Sequence, residues 1–311
     1  MSVGIRAVSL VVPLLIFVVW GSFHTPDPDS SFSQSDDDGS ELVLSSLPPL
    51  PSWAQAKLPD FNEYRDTTER KAAFFSFLYP RIVLANSRIL IERDYLDALA
   101  QKDTLTSSER TWLSNQAQRL RVDEEPGTPE LFERLRKRLD VISPSLVLAQ
   151  AANESAWGTS RFATRGNNLF GQWCFSKGCG LVPLSRAEGA THEVARFASP
   201  YRSVRAYIQN LNRHPTYQLL RDVRQNARNK GELASGPALA AGLIGYSERG
   251  EDYIQEIRSM IRHNNLSYFD LAFQDTVADG ETLTLKQLAS AKKENRLLPE
   301  RGKTEASETD S

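Results

Sequence analysis

The chain has 311 residues, 40% of them hydrophobic, enough to bury one good core with a helical extension. Its 37 basic residues stand against 39 acidic ones, and the formal net charge of -2 offers no basic surface. With no zinc-finger or helix-turn-helix spacing either, nucleic acid is excluded as a partner.

Residues 7–20, AVSLVVPLLIFVVW, are almost wholly apolar and follow Arg6. They lead into a polar stretch, so they read as an export signal rather than a core helix. Trp20, Gly21, Ser22, Phe23 and His24 fit a small-x-small cleavage site badly, and the run 7–23 is near the lower limit for a membrane span. The expectation is an uncleaved anchor at 1–23, with Arg6 inside and the rest of the chain sent outward. A cleaved signal peptide is the alternative. Residues 24–60, rich in Pro, Ser and Asp and including Asp36-Asp37-Asp38, predict a flexible tether.

A helical extension is expected over 61–139. From Thr67, Phe74, Phe75, Phe77, Leu78 and Ile82 form an apolar run interrupted at Pro80, which Ile89 to Leu99 continue. A further helix runs from Ser107, as N-cap, to about Arg121. Another spans Thr128 to Leu139, with Thr128-Pro129 at its start and Leu131, Phe132 and Leu135 on one face. None of these helices carries a polar constellation suited to chemistry, and they predict packing only.

The informative segment is residues 147–171, VLAQAANESAWGTSRFATRGNNLFG. Ser143-Pro144 predicts a helix start with an N-cap hydroxyl and a proline at the first helical position. The run Ser145 to Trp157 lacks Gly and Pro, and Gly158 is a natural stop. At about 100° per residue, Glu154 shares a face with Val147, Gln150 and Ala151, the face such a helix buries. Burial and the negative end of the helix dipole both favour the protonated carboxyl. A neutral glutamic acid is what a general acid needs to protonate a leaving oxygen. A lone Glu near a helix end is ordinarily a solvated surface residue. Here Trp157, Asn167, Asn168, Phe170 and Trp173 follow closely, and aromatic faces with amide groups are how sugars are bound.

Cys174 and Cys179 fit an oxidising compartment, and a disulfide between them closes a loop so short that it contributes only about 2 kcal/mol. The alternative is half of a metal site, but none of His24, His192, His214 and His263 stands at zinc-motif spacing, so no metal and no cofactor is expected. Residues 181–198 predict a short hairpin with Thr191 to Phe197 as one strand. Ser199-Pro200 begins a helix to about Leu211, Pro215 breaks it, and helices follow at 218–229, 236–243 and 251–263. The tail, 276–311, is charged, and predicts a mobile segment with one exposed helix around Leu283 to Leu297.

The string A-x-x-E-S-x-W-G-x-S-x-x-A from Ala151 to Ala163, followed by G-N-N-L-F-G, resembles the signature of the bacterial N-acetylglucosaminidases of glycoside hydrolase family 73. Within that group the chain is similar to the Bax proteins of Gram-negative bacteria. Cys174-x4-Cys179, F-x-S at 197–199, N-L-N-x-H-P-x-Y at 210–217 and G-Y-S followed by Tyr253 add to the likeness, which covers roughly Asp140 to Phe269. The resemblance implies a mainly α, lysozyme-like two-lobed domain with a small β-hairpin, placed here at 140–275. It implies hydrolysis of β-1,4 bonds after N-acetylglucosamine in peptidoglycan glycan strands, with Glu154 as general acid and the domain in the periplasm, held to the inner membrane or, after signal cleavage, soluble.

For the second catalytic group the resemblance implies a hairpin glutamate and a cleft-lining tyrosine. The candidates are Glu188, Glu193 and Tyr246, and Tyr253 joins the substrate-binding set. The hairpin does not align cleanly with the family's, and Arg202-Ser203 stands where many relatives have Glu-Ser. The acetamido oxygen of the substrate is a further candidate nucleophile. Two other functions fit the same motifs less well: a lytic transglycosylase or muramidase of the same fold, and a non-catalytic module that binds and organises the cell wall.

Overall fold

The computed structural model describes residues 44, 47–184, 186 and 189–299. The expected anchor at 1–23, most of the tether, Glu188 and the end of the tail lie outside the described residues.

Helix α1, Thr67–Leu99, starts at Asp66, whose carboxylate accepts from the N–H groups of Thr68 and Glu69. The interruption expected at Pro80 does not occur, and the helix runs through it. A mid-helix proline costs about 3 kcal/mol because it removes one backbone bond and crowds the preceding turn. Here Leu78, Tyr79, Ile82, Val83 and Leu84 are all buried around it, and the Arg81 guanidinium donates to the Phe77 carbonyl. Burial on every side outweighs the local penalty. This helix is long and apolar enough to cross a membrane, but 83% of its most apolar window is buried within the protein, so it is a core helix.

Helix α2, Ser107–Leu120, is capped by Thr106 rather than by Ser107; Thr106 and Glu109 form a reciprocal capping box. Helix α3, Pro129–Arg138, begins as expected, with the Thr128 hydroxyl on the Leu131 N–H. Helix α4, Pro144–Glu154, carries the key glutamate on its last residue. It starts where Ser143-Pro144 predicts, but the Ser143 hydroxyl makes no cap. Asp270 caps the helix instead, accepting from both the N–H and the hydroxyl of Ser145.

The end of α4 also falls three residues short of Trp157. The Ser155 hydroxyl donates to the Ala151 carbonyl and accepts from the Gly158 N–H, while Ala156 and Trp157 both turn to positive φ. Left-handed backbone at two non-glycine residues costs of order 1–3 kcal/mol each and persists only where packing over-determines it. The Trp157 ring supplies that packing, edge-on to Phe74 and Phe75 and under the Lys71 ammonium.

After α5, Arg161–Gly166, comes a three-stranded antiparallel sheet: β1, Trp173–Cys174, β2, Gly180–Leu181, and β3, Glu193–Ala195, with β3 in the centre. Trp173 and Leu181 flank Val194 from either side. The expected hairpin is thus β2–β3, with β1 as an added edge that two residues of sequence are too short to signal. Gly180 is obligatory there, because a Cβ would lie 2.0 Å from the Val194 carbonyl oxygen.

Helix α6, Pro200–Arg213, is followed by α7, Gln218–Arg228, α8, Gly236–Leu239, α9, Glu251–His263, and α10, Ser267–Val277. The fold is mainly α with a small β-sheet, as expected. One apolar cluster runs continuously from α1 through α4, α6 and α9, and a second, small one holds Cys174, Cys179, Ala195, Phe197 and Ala206 under the sheet.

Both expected mobile flanks are packed where they are described. Helix α11, Thr282–Ala289, lies on α1 with Leu285 and Ala289 buried, and Ala291 and Leu297 after it are buried too, where the charge of the tail predicts exposure; Leu283 stays exposed as expected. On the other side Leu47 and Ala54 of the expected tether are buried, and the Trp53 indole donates to the Ala291 carbonyl at 2.7 Å. The few apolar residues in each charged flank suffice because they meet each other across α1.

Candidate active site

Glu154 ends α4 half-buried, its carboxyl at the negative end of that helix. Burial pushes its pKa up. Hydrogen bonds from Tyr253 and Asn153 pull the other way, and the neighbouring charge of Glu256 raises it further against Arg249. Glu256 is itself paired with Arg249 at 2.6 Å.

Tyr253, in the first turn of α9, donates its hydroxyl to Glu154 Oε1 at 2.7 Å. Gln150, one turn before Glu154 on the same face of α4, donates from Nε2 to the Tyr253 oxygen at 2.9 Å. Tyr207 of α6 donates in turn to Gln150 Oε1. The Tyr207 ring stacks on Phe170 at 4.0 Å, and the Tyr253 ring stacks on Tyr246 at 5.3 Å. Tyr246, half-buried, donates its hydroxyl to the Phe170 carbonyl at 3.2 Å, which ties the loop before α9 to the loop after α5. The exposed Gly171 completes the surround: a Cβ built on it would sit 4.0 Å from Glu154 Oε2, and its φ of 65° suits glycine.

The structure therefore brings Glu154, Phe170, Tyr246 and Tyr253 together, and it employs the other predicted residues differently. Asn168 is 1% exposed; its Nδ2 donates to the Gln172 and Ala195 carbonyls and its Oδ1 accepts from the N–H groups of Phe170 and Gln172. Asn167, the left-handed cap of α5, donates to the Phe197 carbonyl. These amides build the loop that presents Phe170 and Gly171. Trp157 is committed to Phe74 and Phe75, and Trp173 stacks on His192 at 4.2 Å.

Glu193 is committed elsewhere as well. Its two carboxylate oxygens accept from the N–H groups of Gly178 and Gly180, which hold its pKa below the ordinary carboxylate range. Gly178 lies in the loop closed by the Cys174–Cys179 disulfide, and Gly180 opens β2 just after it. The sulfurs are bonded to each other and the carboxylate is bound to backbone, so the trio does not make a metal site despite its closeness.

Two residues of the site escape the sequence motifs. Gln150 is fully buried and Tyr207 is 1% exposed. The available signal is a polar pair, Gln150 and Glu154, four residues apart on an otherwise apolar stripe.

Comparison with known proteins gives the chain a family. The glucosaminidase family, described as mannosyl-glycoprotein endo-beta-N-acetylglucosaminidase, matches residues 129–266. Protein bax of Escherichia coli (strain K12) is 34% identical over 214 residues, covering 68% of this chain and 76% of that protein. The chain belongs to the glucosaminidase family, as a Bax-like member. No solved structure matches it. The family assignment makes the chain a glycosidase-type enzyme, and the match begins at the first residue of α3 and takes in Glu154, Gln150, Phe170, Tyr207, Tyr246 and Tyr253.

Proposed function

We propose that the protein hydrolyses β-1,4 glycosidic bonds after N-acetylglucosamine in peptidoglycan, with Glu154 as the general acid, on the outer side of the bacterial inner membrane. The observation that carries this reading is the setting of Glu154: a half-buried carboxyl at the negative end of α4, raised by burial, with one oxygen held by Tyr253. Such a group holds its proton more tightly than an exposed carboxyl and can give it to the glycosidic oxygen as the bond to C1 breaks and an oxocarbenium-like centre develops.

That centre needs a nucleophile. Among the described residues, Glu193 is spent on backbone amides and Glu256 is paired with Arg249; the candidate Glu188 lies outside them. This supports the assisted route, in which the acetamido oxygen of the substrate attacks and water later opens the ring. Tyr246, beside Tyr253 and half-buried, orients that group, and the N-terminal segment 7–23 holds the enzyme to its membrane.

The deciding experiment is digestion of purified sacculi with the reducing ends identified. Reducing N-acetylglucosamine ends are expected, and Glu154→Gln should lower turnover by at least about 10²-fold. Products lighter by one water would mean a lytic transglycosylase instead. Binding to sacculi without any release would mean a non-catalytic wall module.

A further inference from the structure

Three buried polar side chains stand in line behind the Glu154 carboxyl, and the direction of each hydrogen bond is constrained by its neighbour. An amide nitrogen can only donate, so Gln150 Nε2 makes the Tyr253 oxygen an acceptor. A phenol has one proton, and Tyr253 gives it to Glu154 Oε1 at 2.7 Å. The carbonyl of Gln150 is occupied by the Tyr207 hydroxyl, which orients the amide. All donors therefore point the same way, from α6 through α4 and α9 to one oxygen of the acid. The other oxygen, Oε2, lies toward the exposed Gly171.

We infer that Gln150 and Tyr207 are positioning residues, which act through Tyr253 to hold Glu154 Oε1 as an acceptor and so leave the transferable proton on Oε2. This rests on the proposed role of Glu154 as the acid. During the reaction the proton leaves Oε2 for the glycosidic oxygen, which keeps the electron pair of the broken C1–O bond. Glu154 is left as a carboxylate. The charge that develops there is met by the Tyr253 O–H, itself polarised by Gln150 and Tyr207. Bonds to a developing charge, in place before the reaction begins, lower its barrier without reorganisation.

The test uses the full-length chain in detergent, acting on soluble peptidoglycan glycan strands, with Gln150→Met, Tyr207→Phe and Tyr253→Phe beside Glu154→Gln. Loss of the relay weakens the bond that favours ionised Glu154, so its pKa rises and the basic limb of the kcat profile moves to higher pH. Gln150→Met is expected to lower kcat about tenfold, the order of one lost charge-assisted bond, with KM within about twofold. Tyr207→Phe should act in the same direction by a smaller factor. Folded Gln150→Met and Tyr207→Phe proteins with wild-type kcat and an unmoved basic limb, beside an inactive Glu154→Gln, would overturn the inference alone. An active Glu154→Gln would overturn the reading of the site itself. Should Gln150→Met not fold, Tyr207→Phe decides, because it keeps the ring stacked on Phe170 and removes only the hydroxyl.

Discussion

Glu154 and Glu193 show how one residue type is given opposite tasks by its surroundings. Burial raises the pKa of Glu154, while two backbone amides lower that of Glu193. The folded state thus holds the Glu154 proton more tightly than the unfolded chain does. The associated stability is fully present below the unfolded pKa, and it is lost as pH rises through the folded one. Glu154→Gln should therefore melt higher than the wild type at neutral pH, with the difference closing near about pH 4. Thermal melts across that range check it, and an equal or lower neutral-pH Tm would refute the claim that the carboxyl is held at a cost. For Glu193 the expectation concerns chemistry: a folded Glu193→Gln retains measurable activity, whereas a covalent glycosyl-enzyme trapped on Glu193 would make it the nucleophile after all.

Helix α4 shows at the scale of an element what the sequence carries and what it withholds. Its start at Pro144 and its buried stripe are legible, because proline geometry and apolar period are local. Its cap is not, because Asp270 lies 125 residues away and reads in isolation as a surface acid. The same carboxylate also accepts from the Gly236 N–H, so it joins the starts of α4 and α8 to α10. Removing it orphans three buried donors. Asp270→Ala is expected to lower the unfolding free energy by about 2–4 kcal/mol, and Ser143→Ala by less than about 0.5 kcal/mol, although Ser143 occupies the N-cap position. Denaturant melts of the two variants would reverse the assignment if their order were inverted. The loop residues follow the same logic: the run from Asn167 to Gly171 does come close to Glu154, at Gly171, but sequence alone could not tell that Asn168 spends its amide on backbone while Tyr253 reaches the Glu154 carboxyl. That distinction depends on which carbonyls and carboxyls the fold brings within bonding distance.

Across the whole molecule, the described ends of the chain converge on α1, which is where composition was least informative. Charge and proline content correctly describe the average of the flanks and miss their few apolar residues, whose burial requires the partner flank. Arg81, 1% exposed in α1, donates to the Trp53 carbonyl on one side and to Glu294 at 3.0 Å on the other. Burial pushes this guanidinium down to about 10, and the nearby Glu294 only partly offsets it. A chain ending at Gly280 would remove the buried Leu285, Ala289, Ala291 and Leu297, uncover the face of α1 on which α11 lies, and leave Arg81 without its carboxylate partner. At about 1–3 kcal/mol for each larger side chain, the loss should amount to several kcal/mol and lower the Tm by on the order of 10 °C. Glu294→Gln, on a carboxylate whose side chain is 44% exposed, should cost far less, since it leaves the apolar contacts of α11 in place. Truncation without any change in Tm would show instead that the segment after Gly280 is a passenger on the surface of α1.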